Sequence, residues 1–198
     1  MLETKNLTMK REAEKEILEF LAKKPSKKTL KYLAIFSFVL LIISMFFVVI
    51  LLDMSNFSGT LEETQIGFNG AYIKSKFVLM NENELNLFIL ANIFDYGFML
   101  AYGTLFFSIA LMLTRKLKEG SIFKKIGYLI TILGICSACC DALENVFLLL
   151  MASNPSGFPT WLAIPHSTFA LAKFTLMYIV FGWILLISLS RLFVKKQN

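Results

Sequence analysis

Residues 126–151, IGYLITILGICSACCDALENVFLLLM, decide how this chain is read. The first fifteen carry no charge, and then Asp141, Glu144 and Asn145 arrive together before the apolar character resumes. About 20 mostly apolar residues suffice for a helix to cross a bilayer. Hydrocarbon offers no partner to backbone N–H and C=O groups, so such a segment must close its own hydrogen bonds as a helix. Three further stretches share this character, at residues 33–52, 87–113 and 161–193. The second, third and fourth spans are long enough to tilt or to project beyond the bilayer. Across 198 residues, 57% are hydrophobic and only 17% charged. Soluble domains carry about 25% charged residues, so a water-soluble globule is disfavoured. Disorder is excluded by the same balance, and three cysteines exclude a disulfide scaffold.

The net charge of +6 invites a nucleic-acid reading until its distribution is resolved. Residues 1–31 carry +4, residues 115–125 carry +4 and residues 191–198 carry +3, while residues 53–85 carry −3. The spans hold Asp95, Asp141, Glu144 and Lys173, a balance of −2. Seventeen of the twenty Lys and Arg residues thus fall on one side of a four-span topology. The positive-inside rule then makes both termini and the 115–125 loop cytoplasmic, with 53–85 and 152–160 external. Topology alone accounts for the basic excess, and no nucleic-acid partner is expected. No small-residue cleavage pattern follows the first apolar run, so that span reads as an uncleaved signal anchor. The expected fold is all-α: a polytopic membrane protein with a four-transmembrane-helix bundle, N-in and C-in, in the cytoplasmic membrane if the source is prokaryotic. Residues 1–31 form a cytoplasmic amphipathic helix and basic linker, and residues 32–198 form the transmembrane domain.

Outside the spans, residues 8–22 place Met9, Ala13, Ile17, Phe20 and Leu21 at steps of three and four among Lys and Glu. That pattern predicts an amphipathic helix lying on the headgroups, or docking a protein partner. The stretch LAKKPSKKTLK that follows suits anionic lipid, although topology marking explains it equally. The external segment 53–85 is long for a bare loop and offers a second surface for a protein partner. Gly67, Asn69 and Gly70 mark a turn before a short helix over 71–79, and Asn81 and Asn83 precede the second span. Asn56-Phe57-Ser58 fits the glycosylation triplet, which matters only in a secretory-pathway cell.

Ionisable residues inside spans are costly and face a bundle interior or a wet cavity. The second span holds Asn92, Asp95, Tyr96 and Tyr102; the third holds Asp141, Glu144 and Asn145; the fourth holds His166 and Lys173. With a rise of about 1.5 Å per residue, Asp95, Asp141 and Lys173 lie roughly 12–18 Å from the external ends. Glu144, Asn145 and His166 lie within about 7–11 Å, so the group shares the outer half of the bilayer. Gly127, Thr131, Gly134, Ala138, Asp141 and Asn145 form a small and polar stripe that invites close helix approach. One reading is structural, with Lys173 bridging Asp95 and Asp141. Three carboxylates against one lysine leave an excess, however, which protonation, His166 or a ligand must offset. The excess motivates a pocket for a small cation, a proton or an amphiphilic ligand such as a lipid. In it Asp95 and Asp141 accept or coordinate, Lys173 balances charge, and Glu144 with Asn145 lines the mouth.

Enzymatic templates are sparse. A divalent metal on Asp95, Asp141, Glu144 and His166 is conceivable on ligand type, but there is no HExxH or paired histidine, so neither a metal nor a cofactor is expected. Cys136 and Cys139 form a CxxC, yet it lies mid-span rather than at a helix N-terminus where thiols become reactive; packing is the better reading. No GxSxG or P-loop is present, and Ser167 beside His166 is not a dyad, since adjacent helical residues diverge. An enzyme acting on a lipid or isoprenoid, through one carboxylate as acid or base, stays open beside a non-catalytic subunit or assembly factor. Pro159 and Pro165 leave two starts for the fourth helix: one at Pro159, with a kink at Pro165, the other near Pro165.

Taken together, FNGAYIKSKFVLMNENELNLFILANIFDYGFMLAYG, CDALENVFLLL and STFALAKFTLMY resemble a group of small, uncharacterised four-span membrane proteins of prokaryotes. The resemblance covers roughly residues 66–185. It implies that Asp95, Tyr102, Asp141, Glu144, Asn145 and Lys173 form the intramembrane set, leaves His166 outside it, and implies no particular activity.

Overall fold

The computed structural model describes residues 2–195. Polar residues between the apolar runs start the helices. Ser26, Thr60, Asn69, Asn81 and Ser121 each accept a hydrogen bond from a backbone N–H three residues onward. Each thereby satisfies one of the donors a helix start leaves orphaned. Asn81 adds the reciprocal bond, since Glu84 reaches back to its N–H as a capping box. The helices so opened are α2 (Lys27–Met54), α3 (Leu61–Gln65), α4 (Gly70–Phe77), α5 (Glu82–Thr114) and α6 (Ile122–Ala152). They follow α1 (Leu2–Lys23) and precede α7 (Ala163–Lys195), which a 3-10 turn at Thr160–Leu162 introduces. No strand occurs among the described residues.

The fold class read from sequence is the one found. Four helices are long and apolar enough to cross a membrane: α2, α5, α6 and the stretch Thr160–Arg191. At 33 residues, α5 is about 50 Å long, more than the roughly 30 Å hydrocarbon core requires. The fourth helix accommodates both prolines at its start. Pro159 precedes the 3-10 turn, and Pro165 sits in the first turn of α7, where its missing N–H costs no bond.

Packing follows the small residues. The α6 stripe lies along α5 in antiparallel register, with Gly127 against Thr114, Gly134 against Phe106 and Ala138 against Gly103. A Cβ on Gly103 would stand 2.7 Å from that of Ala138, so the backbones approach as they do only because Gly103 has none. α7 packs along the other side of α6, and α2 makes its one extensive interface with α5. On α2 the buried residues Leu30, Ser37 and Ser44 recur every seven, and Ser44 meets Gly97. The rest of α2 turns large apolar side chains outward, Phe36 and Phe46 among them. In water such a face is a liability; in lipid it is the expected exterior.

The two ends of the bundle are closed differently. At one, Arg115 Nε and Nη1 donate to the carbonyls of Leu21 (2.8 Å) and Pro25 (2.6 Å), tying the basic N-terminal segment to the α5–α6 loop. At the other, Phe57, Phe77, Phe88 and Phe158 form an aromatic cluster under the segment between α2 and α5. The short helix expected over 71–79 is α4, starting at Gly70; α3 was not anticipated. The amphipathic helix expected over 8–22 extends further, and of its apolar row Leu21 is buried while Met9, Ile17 and Phe20 are exposed.

Candidate functional site

Residues from three helices and the 53–85 segment meet toward the end closed by the aromatic cluster. Asp141 and Glu144 stand three apart on α6, hence on one face, and α7 brings Lys173 between them. Lys173 Nζ lies 2.7 Å from Asp141 Oδ1 and 2.5 Å from Glu144 Oε2. The first contact is an aligned hydrogen bond; the second is a close ion pair without hydrogen-bond alignment. Asp141 Oδ2 accepts from the Tyr102 hydroxyl of α5 at 3.0 Å. All four side chains are buried, Glu144 completely.

Two expectations change here. The lysine bridges Asp141 and Glu144 rather than Asp95 and Asp141, because the two α6 acids are one turn apart and both face α7. Glu144 does not line a mouth, since none of it is accessible; among the described residues neither of its carboxylate oxygens has an aligned hydrogen bond.

Asp95 stands apart from this triad. Its Oδ2 accepts from Asn145 Nδ2 at 2.9 Å, and the same amide approaches the Asn92 carbonyl at 3.3 Å. Asn92 in turn donates to the Phe88 carbonyl at 2.8 Å. No cation lies within ion-pair distance of Asp95 among the described residues. The carboxylate is only partly buried and looks into a cavity of about 260 Å³. Asp95, Asp141, Asn92, Asn145 and Lys173 supply its polar wall; Val48, Leu52, Phe98, Phe174 and Met177 supply its apolar one. Since α2 leans on α5, the cavity lies between α2 and α7, lined by both. The first span, with no ionisable residue between 33 and 52, thus contributes Val48 and Leu52 to the apolar wall of the site.

His166 is fully buried but joins none of the carboxylates. Its Nδ1 faces the Glu144 carbonyl at 3.2 Å, and its Nε2 faces the Thr64 carbonyl at 3.0 Å. A neutral ring donates to one of these and a protonated ring to both. The residue anchors α3 to the bundle and does not offset the acidic excess as a side-chain partner. Its neighbour Ser167 accepts from the Phe68 N–H at 3.1 Å, so both residues fasten the same segment. Among the described residues, no three His, Cys, Asp or Glu side chains converge as metal ligands would. Cys136, Cys139 and Cys140 are free, and Cys139 is exposed on the outer side of α6.

Sequence reading missed Gln65, which lines this cavity and a second one of about 250 Å³ beneath Phe57 and Gly59. Its Oε1 is buried without a hydrogen-bond partner among the described residues. A glutamine in a polar segment outside any span carries no signal of such placement. Phe98 and Phe174 were equally unreadable among twenty phenylalanines.

Comparison with protein-family models, with curated proteins and with solved structures yields no match for this chain.

Proposed function

We propose that this integral membrane protein binds an amphiphilic ligand bearing a single ammonium group, with the ammonium on Asp95 and the hydrocarbon against Phe98, Phe174 and Met177. The observation that carries this reading is Asp95 itself, a carboxylate held by one amide at the edge of a cavity, with no cation within ion-pair distance among the described residues. Lys173 is already occupied by two other carboxylates, so it cannot offset Asp95 without abandoning one of them. An ionised group in apolar surroundings is unfavourable until a counter-charge arrives. Aromatic faces nearby favour an organic cation, whereas a hard divalent ion takes six to eight oxygen ligands. On this reading Asp141, Lys173, Glu144 and Tyr102 form the frame that fixes the pocket, and Asn145 orients Asp95. The site belongs to the outer half of the bilayer, with both termini cytoplasmic, a topology supported by the seventeen basic residues on one side.

Dodecylammonium and neutral dodecanol, each offered to the full chain in phosphatidylcholine nanodiscs, test the reading by native mass spectrometry. Retention of the ammonium and not of the alcohol is expected. Asp95→Asn should lower that retention by at least about tenfold, as expected when one partner of a buried charge pair is truncated. Equal retention in the Asn variant, or equal retention of dodecanol, overturns the proposal. Retention of sodium alone replaces it with an inorganic-cation site.

A further inference from the structure

A second groove lies at the opposite end of the molecule and owes nothing to Asp95. It has a volume of about 600 Å³ and runs between α1 and the first three turns of α6. Its α6 wall is Ile122, Lys125, Ile126, Tyr128, Leu129 and Ile132; its α1 wall is Ala13, Ile17 and Leu18. Ligand pockets commonly occupy about 300–1,000 Å³. From Ile122 to Ile132 the groove follows α6 for about 15 Å.

Its polarity is graded along that length. The loop end carries Lys125, which is exposed and, among the described residues, forms no ion pair. The neighbouring Lys124 differs, being buried and paired with Glu119. Arg115 stands at the same end, gripping the Leu21 and Pro25 carbonyls, and forms no ion pair among the described residues. One turn further in, Tyr128 is 5% exposed and belongs to a buried cluster with Leu21, Leu30 and Leu111. Tyr128 lines the groove, and its hydroxyl is buried with no hydrogen-bond partner among the described residues. Beyond it the walls are aliphatic and continue into the lipid-facing row of α6 through Leu129.

A cation at one end, then a buried unpartnered hydroxyl, then hydrocarbon is the inverse of an anionic phospholipid. We propose that this groove binds one such lipid, with its phosphate on Lys125, an ester carbonyl accepting from the Tyr128 hydroxyl and an acyl chain along Ile126, Leu129 and Ile132. The amphipathic helix α1 is then the second wall of a lipid site, packed over the chain by Ala13, Ile17 and Leu18. Charge complementarity selects the occupant: the 115–125 loop carries +4, and basic residues at a membrane surface attract anionic headgroups.

The test uses the full chain in nanodiscs of equal phosphatidylglycerol and phosphatidylcholine, delipidated stepwise and weighed by native mass spectrometry. The last retained lipid should be phosphatidylglycerol, favoured about fivefold, the effect of one basic side chain at a membrane surface. Lys125→Gln should bring that ratio near unity, and Tyr128→Phe should lower retention of the lipid while keeping most of the headgroup preference. Leu129→Trp, at an exposed position, should fill the groove and lower retention of both lipids without unfolding the chain. A ratio near one in the unaltered protein, or a ratio unchanged in Lys125→Gln, overturns the proposal. A stoichiometric second copy of the chain, lost in Leu129→Trp, overturns it in favour of a homodimer face.

Discussion

At the level of single residues, the buried triad sets the largest energetic stakes. Lys173 offsets two buried carboxylates, and removing it leaves both without a cation. Lys173→Met is expected to destabilise the protein by about 3–5 kcal/mol, the cost of breaking a buried ion pair from one side. Thermal unfolding in detergent checks this, and a midpoint equal to that of the unaltered protein contradicts it. Asp95→Asn should be mild by the same measure, because Asp95 is partly buried and has only Asn145 to lose. The two substitutions thus separate the frame from the ligand-binding group. Asp95, Tyr102, His166 and Lys173 all meet the Asp141–Asn145 stretch of α6, but their pairing was not legible in the sequence. Which carboxylate meets the lysine depends on helix rotation, and a one-residue turn of about 100° exchanges partners.

At the level of helices, the small-residue stripe gives the sharpest contrast between contact and exposure. Gly103→Leu places a side chain where the Ala138 methyl already stands, and should cost about 1–3 kcal/mol as overpacking does. Gly182 on α7 meets nothing within 4 Å, so Gly182→Ala should raise stability by up to about 1 kcal/mol through helix propensity alone. Unfolding midpoints of the two variants moving in the same direction would contradict the packing described for α5 and α6. Asn81→Ala removes the capping box and the Asn81 end of the contact with Glu84, with an expected loss of about 0.5–2 kcal/mol. Hydrogen exchange should show that loss at the first turn of α5, where Glu84 also receives a bond from Asn56. The stripe was readable because spacing of three and four survives in the sequence. α3 was not, since five residues make too short a window for any period.

At the level of the whole molecule, orientation is the testable property. The structure brings the N-terminal segment and the α5–α6 loop to one end through Arg115, and the 53–85 segment and the 3-10 turn to the other. With the native cysteines replaced by alanine, Lys76→Cys should react with a membrane-impermeant maleimide added to intact cells, and Lys118→Cys only after lysis. The opposite pattern inverts the topology and moves the Asp95 cavity to the inner half. The number of spans, the helical class and the segregation of charge follow from the sequence itself. Each is a property of composition along one helix, governed by the cost of exposing backbone or charge to hydrocarbon. Tertiary structure alone decided that Lys173 joins Asp141 to Glu144, that Asp95 is left facing a cavity, and that His166 and Ser167 hold α3 in place. Those outcomes depend on how far each helix is rotated and how closely it approaches its neighbour, quantities fixed by contacts between segments far apart in the chain.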